Sequence, residues 1–180
     1  MPPPPLSHPS DVLTGNQAGR LEGCLPPEHR GCKWQLVYSL SAHGASLETL
    51  LSKAHDTEVT MLVAQDTRGC VFGAYLAQPW HRHASYFGSG QSAVFSFHST
   101  SPDDVSSFKS YKWSHANKYF QLVTEDSIAV GGGGNFALYL DGELFVGASG
   151  DCATFSSPCL ASEENFECAL LEVWTFVPNV

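Results

Sequence analysis

The chain has 180 residues, 43% of them hydrophobic, 12% aromatic and 15% charged. That is enough apolar material for one core, too little charge for a disordered polymer, and too short a chain for a two-domain enzyme. Nine Lys plus Arg oppose eighteen Asp plus Glu, a formal net charge of −9, so the surface repels phosphate backbones and nucleic acid is not an expected partner.

Residues 1–20 mix four consecutive prolines with Ser, Asp, Asn and Gly and read as a flexible Pro-rich tail ahead of a domain over 21–180. From Trp34 the character changes. Gln35–Ser39 alternates as a strand does, and His43-Gly44 breaks it. Ser46 then suits a helix N-cap, Glu48 falls in the first turn, and Leu47, Leu50, Leu51 and Ala54 recur with helical spacing. Val59–Gln65 and Cys70–Ala77 flank the turn Asp66–Gly69 and predict a hairpin. Ser92–His98 predicts a further strand, 99–110 a polar loop, and Tyr111–Ser114, Lys118–Val123 and Ser127–Val130 short strands. Phe136–Leu140 and Glu143–Val146 flank Asp141-Gly142. That pair predicts a type I′ turn with Leu138 facing Phe145 and Tyr139 facing Leu144. Phe166–Val177 is long and apolar on both alternating faces, as a covered central strand would be. About eight or nine strands against one clear helix predict a mostly β fold, a two-sheet antiparallel sandwich with a few flanking helices.

Met1–Leu6 carries neither a basic nor an apolar targeting pattern, and no stretch approaches the roughly 18 uninterrupted apolar residues of a bilayer span. A soluble, cytoplasmic monomer without membrane insertion is the expectation. The six cysteines contain no CxxC pair and read as buried, reduced thiols rather than as a zinc site or redox motif.

Gly131–Gly134 has neither the Gly-Lys-Ser/Thr ending nor the following helix of a phosphate loop. It reads instead as backbone running close beneath other chain, or taking several positive φ values. Tyr86, Phe87, Gly88, Ser89 and Gly90 mark a sharp reversal, with an exposed docking edge as the functional alternative. His81 and His83 have metal-ligand spacing but no third ligand nearby, so no metal site is assigned. No nucleophile elbow occurs around Ser89. In the last strand, period two places Glu172 on one face with Phe166, Cys168, Leu170, Trp174 and Phe176. A carboxylate there must meet a cation or backbone donors, or stay protonated, and Glu172 reads as a structural buried acid.

Ordered matches run from Leu25-Pro26 through Trp34–Ser39, His43-Gly44-x-Ser46-Leu47, Phe72–Tyr75, Tyr86–Gly90, Lys112-Trp113, Asn117-x-Tyr119-Phe120, Gly131–Gly134 and Phe136–Gly142 to Cys152-x-Thr154-Phe155 and Leu171–Trp174. On these the chain resembles the TLDc domain family. Two departures are Gln91, where the family's loop continues into Glu, and Ser156-Ser157, where an Asn pair is usual. The resemblance implies a β-sandwich. It also implies a non-catalytic interaction module that binds peripheral subunits of the vacuolar-type proton-pumping ATPase, regulates its assembly or activity, and is linked to oxidative-stress resistance, with recruitment to an endomembrane or lysosomal surface. The interaction loops it points to contain Tyr86, Phe87, Gly88, Gly90, Gly131, Gly132, Gly133, Gly134, Cys152, Thr154 and Phe155. No catalytic residue and no cofactor is assigned. The alternative is an antioxidant or hydrolytic enzyme using Glu172 or a cysteine.

Overall fold

A computed structural model describes residues 2–179. In chain order it places helix α1 (Gly15–Glu22), a short 3₁₀ turn (Pro27–His29), β1 (Lys33–Ser39), the single turn α2 (Leu40–His43), α3 (Leu47–Ala54), β2 (Thr60–Asp66), β3 (Val71–Leu76) and β4 (Ala93–Ser96). There follow β5 (Lys109–Lys112), β6 (Gln121–Val123), β7 (Ser127–Val130), β8 (Leu138–Asp141), β9 (Val146–Ala148) and β10 (Asn165–Val177). Every strand pairing is antiparallel.

The 13-residue β10 organises the molecule. Its first residues, Asn165–Glu167, pair with β9 and so begin a sheet that continues through β8 and β7 to β6. From Cys168 onward it pairs with β2 on one edge, and from Glu172 with β1 on the other, in a second sheet that continues through β3 and β4 to β5. The two sheets share β10 and fold over each other as an open sandwich, not a closed barrel.

Strand parity then divides the apolar residues between two cores. The inner core joins Leu62, Ala64, Phe72, Ala74 and Val94 of the larger sheet to Ile128, Val130, Leu138 and Leu140 of the smaller one, with Leu47, Leu50 and Leu51 of α3 packed in. The outer core takes the alternate residues Met61, Val63, Val71, Tyr75 and Phe95, together with Trp34 and Trp174. With both faces covered, every residue of β3 and six of the seven in β2 are buried.

What covers the outer face is the segment read from sequence as a mobile tail. Leu6 forms a parallel bridge with Trp34, with Trp34 N donating to Pro5 O at 2.9 Å and Ser7 N to Trp34 O at 2.8 Å. Val12, Leu13, Ala18, Leu21 and Leu25 complete the outer core. The Pro-rich composition misled because burial of these few apolar side chains against Trp34 and Trp174 outweighs chain entropy. A local signal was present: Thr14-x-x-Gln17 is a capping box, with Gln17 N donating to Thr14 Oγ1 at 3.1 Å and Thr14 N to Gln17 Oε1 at 2.9 Å.

Two further expectations shift. A bulge between Cys168 and Leu170 breaks the period of β10, so Phe166 and Cys168 join Leu171 and Val173 in the inner core, and Leu170, Glu172, Trp174 and Phe176 keep the outer face. Asp141-Gly142 does not make a two-residue turn. Tyr139 pairs with Ala148 and Leu140 with Gly147, across a longer loop in which Leu144 takes φ +55° and is fully buried. Asp141 Oδ1 accepts from Phe145 N at 2.9 Å and Val146 N at 3.2 Å, which satisfies that loop's donors. The helix reading at Leu47–Ala54 matches, with Ser46 Oγ accepting from Thr49 N at 3.3 Å.

Candidate functional site

The structure brings the three loops named from sequence to one corner of the sandwich, and side-chain hydrogen bonds hold them together. Gly131–Gly134 leaves β7 with φ values of +84° at Gly131, +81° at Gly133 and +115° at Gly134, conformations that L side chains rarely adopt. At Gly132 the constraint is space, since a Cβ there would lie 2.7 Å from the Tyr86 hydroxyl and 3.1 Å from the Tyr119 side chain.

Thr154 is the knot of the corner. Fully buried, its Oγ1 accepts from Gly132 N at 2.9 Å and donates to Asn117 Oδ1 at 2.7 Å. Asn117 Nδ2 reaches Gly132 O at 3.4 Å, and Ser114 N donates to Thr154 O at 2.8 Å. Cys152 bridges Gly134 and Ser157 through its backbone, and its Sγ donates to Gly132 O at 3.5 Å. Tyr86 ties in the third loop: its hydroxyl donates to Gly131 O at 3.0 Å, and its ring lies 4.8 Å from that of Tyr119. Burial, with Cys152 and Tyr119 adding, pushes the Tyr86 phenol up to about 12, so it remains a neutral donor. Phe87 pairs with Gln121 through two backbone hydrogen bonds of 2.9 and 2.8 Å.

These contacts sort the eleven loop residues by role. Gly131, Gly132, Cys152, Thr154 and Phe155 are buried; they shape the corner and offer no surface of their own. Tyr86, Phe87, Gly88 and Gly90 are half-buried, while Gly133 and Gly134 are exposed. The large aromatic that the corner presents to solvent is Tyr119, 45% exposed. Sequence reading had placed Tyr119 among the matched motif residues without assigning it to the surface. Beside it opens a cleft of about 530 Å³, lined by Tyr86, Gly132–Gly134, Asn135 and Phe136 and by Glu164 and Asn165 opposite.

Glu172 belongs to the outer face, under the N-terminal segment, and is 1% exposed. Its carboxylate accepts from Ser10 Oγ at 2.6 Å, Asp11 N at 2.7 Å and Trp174 Nε1 at 3.2 Å. Burial raises its pKa, and these donors pull the other way. Sequence reading missed a second acid of the same kind. Glu22 accepts from Trp34 Nε1 at 2.9 Å and from Gly31 N at 2.8 Å. The signal that could have found it is an indole N–H that needs a partner once buried.

Cys70, Cys152 and Cys168 are placed for packing, whereas, against the expectation of buried thiols, Cys24 is exposed and Cys32 and Cys159 are half-buried. Burial raises the pKa of Cys70 and Cys159, and pushes Cys168 up to about 12; a nucleophilic cysteine needs the opposite displacement. His81 and His83 sit on exposed chain with their rings 5.8 Å apart, His81 lying 4.2 Å from the Phe87 ring. Among the described residues no group of three or more His, Cys, Asp or Glu is arranged to hold a metal ion, and no helix is long and apolar enough to cross a membrane.

Comparison with known proteins gives a matching family model, the TLDc domain, over residues 6–177. Oxidation resistance protein 1 of Rattus norvegicus is 39% identical over 176 residues, and that of Homo sapiens is likewise 39% identical. Nuclear receptor coactivator 7 of Gallus gallus is 37% identical over 175 residues. Each alignment covers 96% of this chain but 20%, 19% and 18% of the respective relative, so the chain spans about a fifth of the length of the relatives it matches. With nearly the whole sequence covered by both kinds of match, the chain belongs to the TLDc domain family.

Proposed function

We propose that this protein is a non-catalytic interaction module that docks through the Tyr119 corner onto peripheral subunits of the vacuolar-type proton-pumping ATPase and regulates the pump's assembly or activity, in the cytoplasm and at the membranes where the pump resides. The observation that carries the reading is the division of labour at the corner. Thr154, Cys152, Gly131 and Gly132 are spent on internal bonds, and what reaches solvent is a rigidly backed aromatic beside exposed glycine backbone. Such a surface suits recognition, since an ordered aromatic loses little conformational entropy on binding. The names of the relatives associate this family with resistance to oxidation, which a regulator of another machine can provide without chemistry of its own.

The alternative, an enzyme centred on Glu172 or a cysteine, meets a physical obstacle: Glu172 is sealed under residues 10–11, with three donors on its carboxylate, and burial raises the pKa of Cys70, Cys159 and Cys168, which suppresses their thiolates. The deciding experiment is capture of the purified chain by the assembled pump and by its free catalytic sector, with Tyr119→Ala in parallel. Binding to either one, weakened about tenfold or more in Tyr119→Ala, is expected for an anchor aromatic. Binding to neither overturns the proposal. Peroxide consumption that falls to the buffer baseline in Cys152→Ser would favour the enzyme.

A further inference from the structure

A second cleft, which meets the loops of the Tyr119 corner at Gly90, lies between the N-terminal segment and the outer face of the larger sheet. It encloses about 360 Å³, within the range of roughly 300–1,000 Å³ typical of small-molecule sites. Met61, Tyr75 and Phe95, on neighbouring strands and one face, form its floor, and Leu21 and Leu25 of the N-terminal segment form a wall.

The charges around it are unusual for this molecule. The chain has nine Lys plus Arg against eighteen acids, yet three of the nine gather here. Arg30 and Lys112 line the cleft, and the Arg20 guanidinium lies 4.9 Å over the ring of Phe108, another lining residue. Among the described residues the ion pairs are His55–Asp56, Arg68–Glu163 and Arg82–Glu48, so none of these three cations has a carboxylate partner. Arg30 Nε donates to Leu25 O at 2.7 Å, which anchors the side chain and leaves its terminal nitrogens without an acceptor among the described residues. Glu28 is the one acid of the lining among the described residues.

Two neutral polar groups also lack partners. Ser92, a lining residue, is 1% exposed and its hydroxyl makes no hydrogen bond among the described residues, but that oxygen is closed off from the cleft. The Tyr75 hydroxyl likewise makes none among the described residues, and burial, with Glu28 adding, pushes it up to about 12, so it stays a neutral donor.

We propose that this cleft binds a small amphipathic anion, such as an aryl carboxylate or a short fatty acid, with its apolar body against Met61, Tyr75 and Phe95 and its anionic end toward Arg30 and Lys112. An apolar floor supplies affinity and unpaired cations at the mouth select the charged end.

The test uses two probes with the same ring body, 8-anilinonaphthalene-1-sulfonate and the uncharged N-phenyl-1-naphthylamine, titrated into the full chain. Saturable fluorescence enhancement with the sulfonate, displaced by octanoate, is expected. The double variant Arg30→Gln with Lys112→Gln should weaken the sulfonate probe about tenfold while leaving the uncharged probe within about twofold, because both side chains are exposed and act through charge. Ala93→Trp fills the floor beside Tyr75 and should abolish both signals. Absence of saturation, or equal sulfonate affinity in the double variant and the parent, overturns the proposal. If Ala93→Trp fails to fold, the charge variants decide alone.

Discussion

Replacing Glu172 by Ala tests the claim that a buried acid fastens the N-terminal segment to the sheet. Three donors lose their acceptor: Ser10 Oγ, Asp11 N and Trp174 Nε1, at 2.6, 2.7 and 3.2 Å. The Ser10 O–H is free to rotate about its Cβ–Oγ bond while its oxygen goes on accepting from Leu13 N at 2.9 Å. The Asp11 amide and the Trp174 indole are fixed, and each buried donor left unpaired costs about 1–3 kcal/mol. Against this stands the relief of no longer desolvating a carboxylate, the effect that raises its pKa. The net expectation is a loss of about 1–3 kcal/mol, which for a chain of this length lowers the melting temperature by roughly 3–10 °C. Scanning calorimetry measures the loss, and limited proteolysis locates it, with cleavage appearing within residues 2–25 before the sheets open. Glu172→Gln adds a pH test with a definite sign. A raised folded pKa means that Glu172 favours the fold most when protonated, below the ordinary carboxylate range, and that this contribution is lost as pH rises through the raised value. The melting temperature of the parent minus that of Glu172→Gln should therefore fall from pH 4 to pH 7. An Ala variant melting within about 1 °C of the parent, or a difference curve that rises with pH, refutes the reasoning.

Thr154→Val keeps the shape and removes the hydroxyl, leaving the Gly132 N–H without its acceptor and taking one of the two donors from Asn117 Oδ1, which keeps Tyr119 N; a cost of about 1–3 kcal/mol is expected in chemical denaturation. Thr14→Ala removes the capping box of α1 and should cost about 1 kcal/mol, read the same way. Gly132→Ala and Tyr119→Ala should part company: the first forces a Cβ against the Tyr86 hydroxyl and lowers the melting temperature, whereas the second, at a residue 45% exposed, leaves stability within about 0.5 kcal/mol and affects only partner binding. In native alkylation followed by mass spectrometry, exposed Cys24 should react first, while buried Cys70, Cys152 and Cys168 stay protected until unfolding; Cys152 reacting as fast as Cys24 would contradict the packed corner.

The strands and α3 were legible because their signals are local: alternation over Gln35–Ser39, and helical spacing of Leu47, Leu50, Leu51 and Ala54 behind Ser46. What was illegible depends on distant residues. The N-terminal segment is ordered by Trp34 and Trp174, which composition cannot place beside it. The β10 bulge at Cys168–Leu170 changes side-chain parity with no Gly or Pro to announce it. The 141–146 loop departs from its Asp-Gly signal because burying Leu144 at positive φ, with Asp141 capping two amides, suits the inner core better than a tight turn would. At the corner the glycines were recognised as close-approach positions, but the sequence could not show that Thr154 and Cys152 point inward while Tyr119 points out.

The two buried acids explain why residues 6–25 belong to the domain rather than to a linker, in keeping with a family match that begins at residue 6. The sheet's outer face carries Trp34 and Trp174, whose indole N–H groups need acceptors once water is excluded. Glu22 answers one and Glu172 the other. Glu22 comes from the covering segment and bonds to the sheet, whereas Glu172 comes from the sheet and bonds to the covering segment through Ser10 and Asp11. Each carboxylate thus joins two layers: without the segment the Trp34 indole has no acceptor, and Glu172 keeps only the Trp174 indole of its three donors. Removing the segment would therefore strip cover from two tryptophans and leave one indole and one carboxylate short of partners together. For that reason its loss should unfold the larger sheet's outer face as a unit rather than fray it residue by residue.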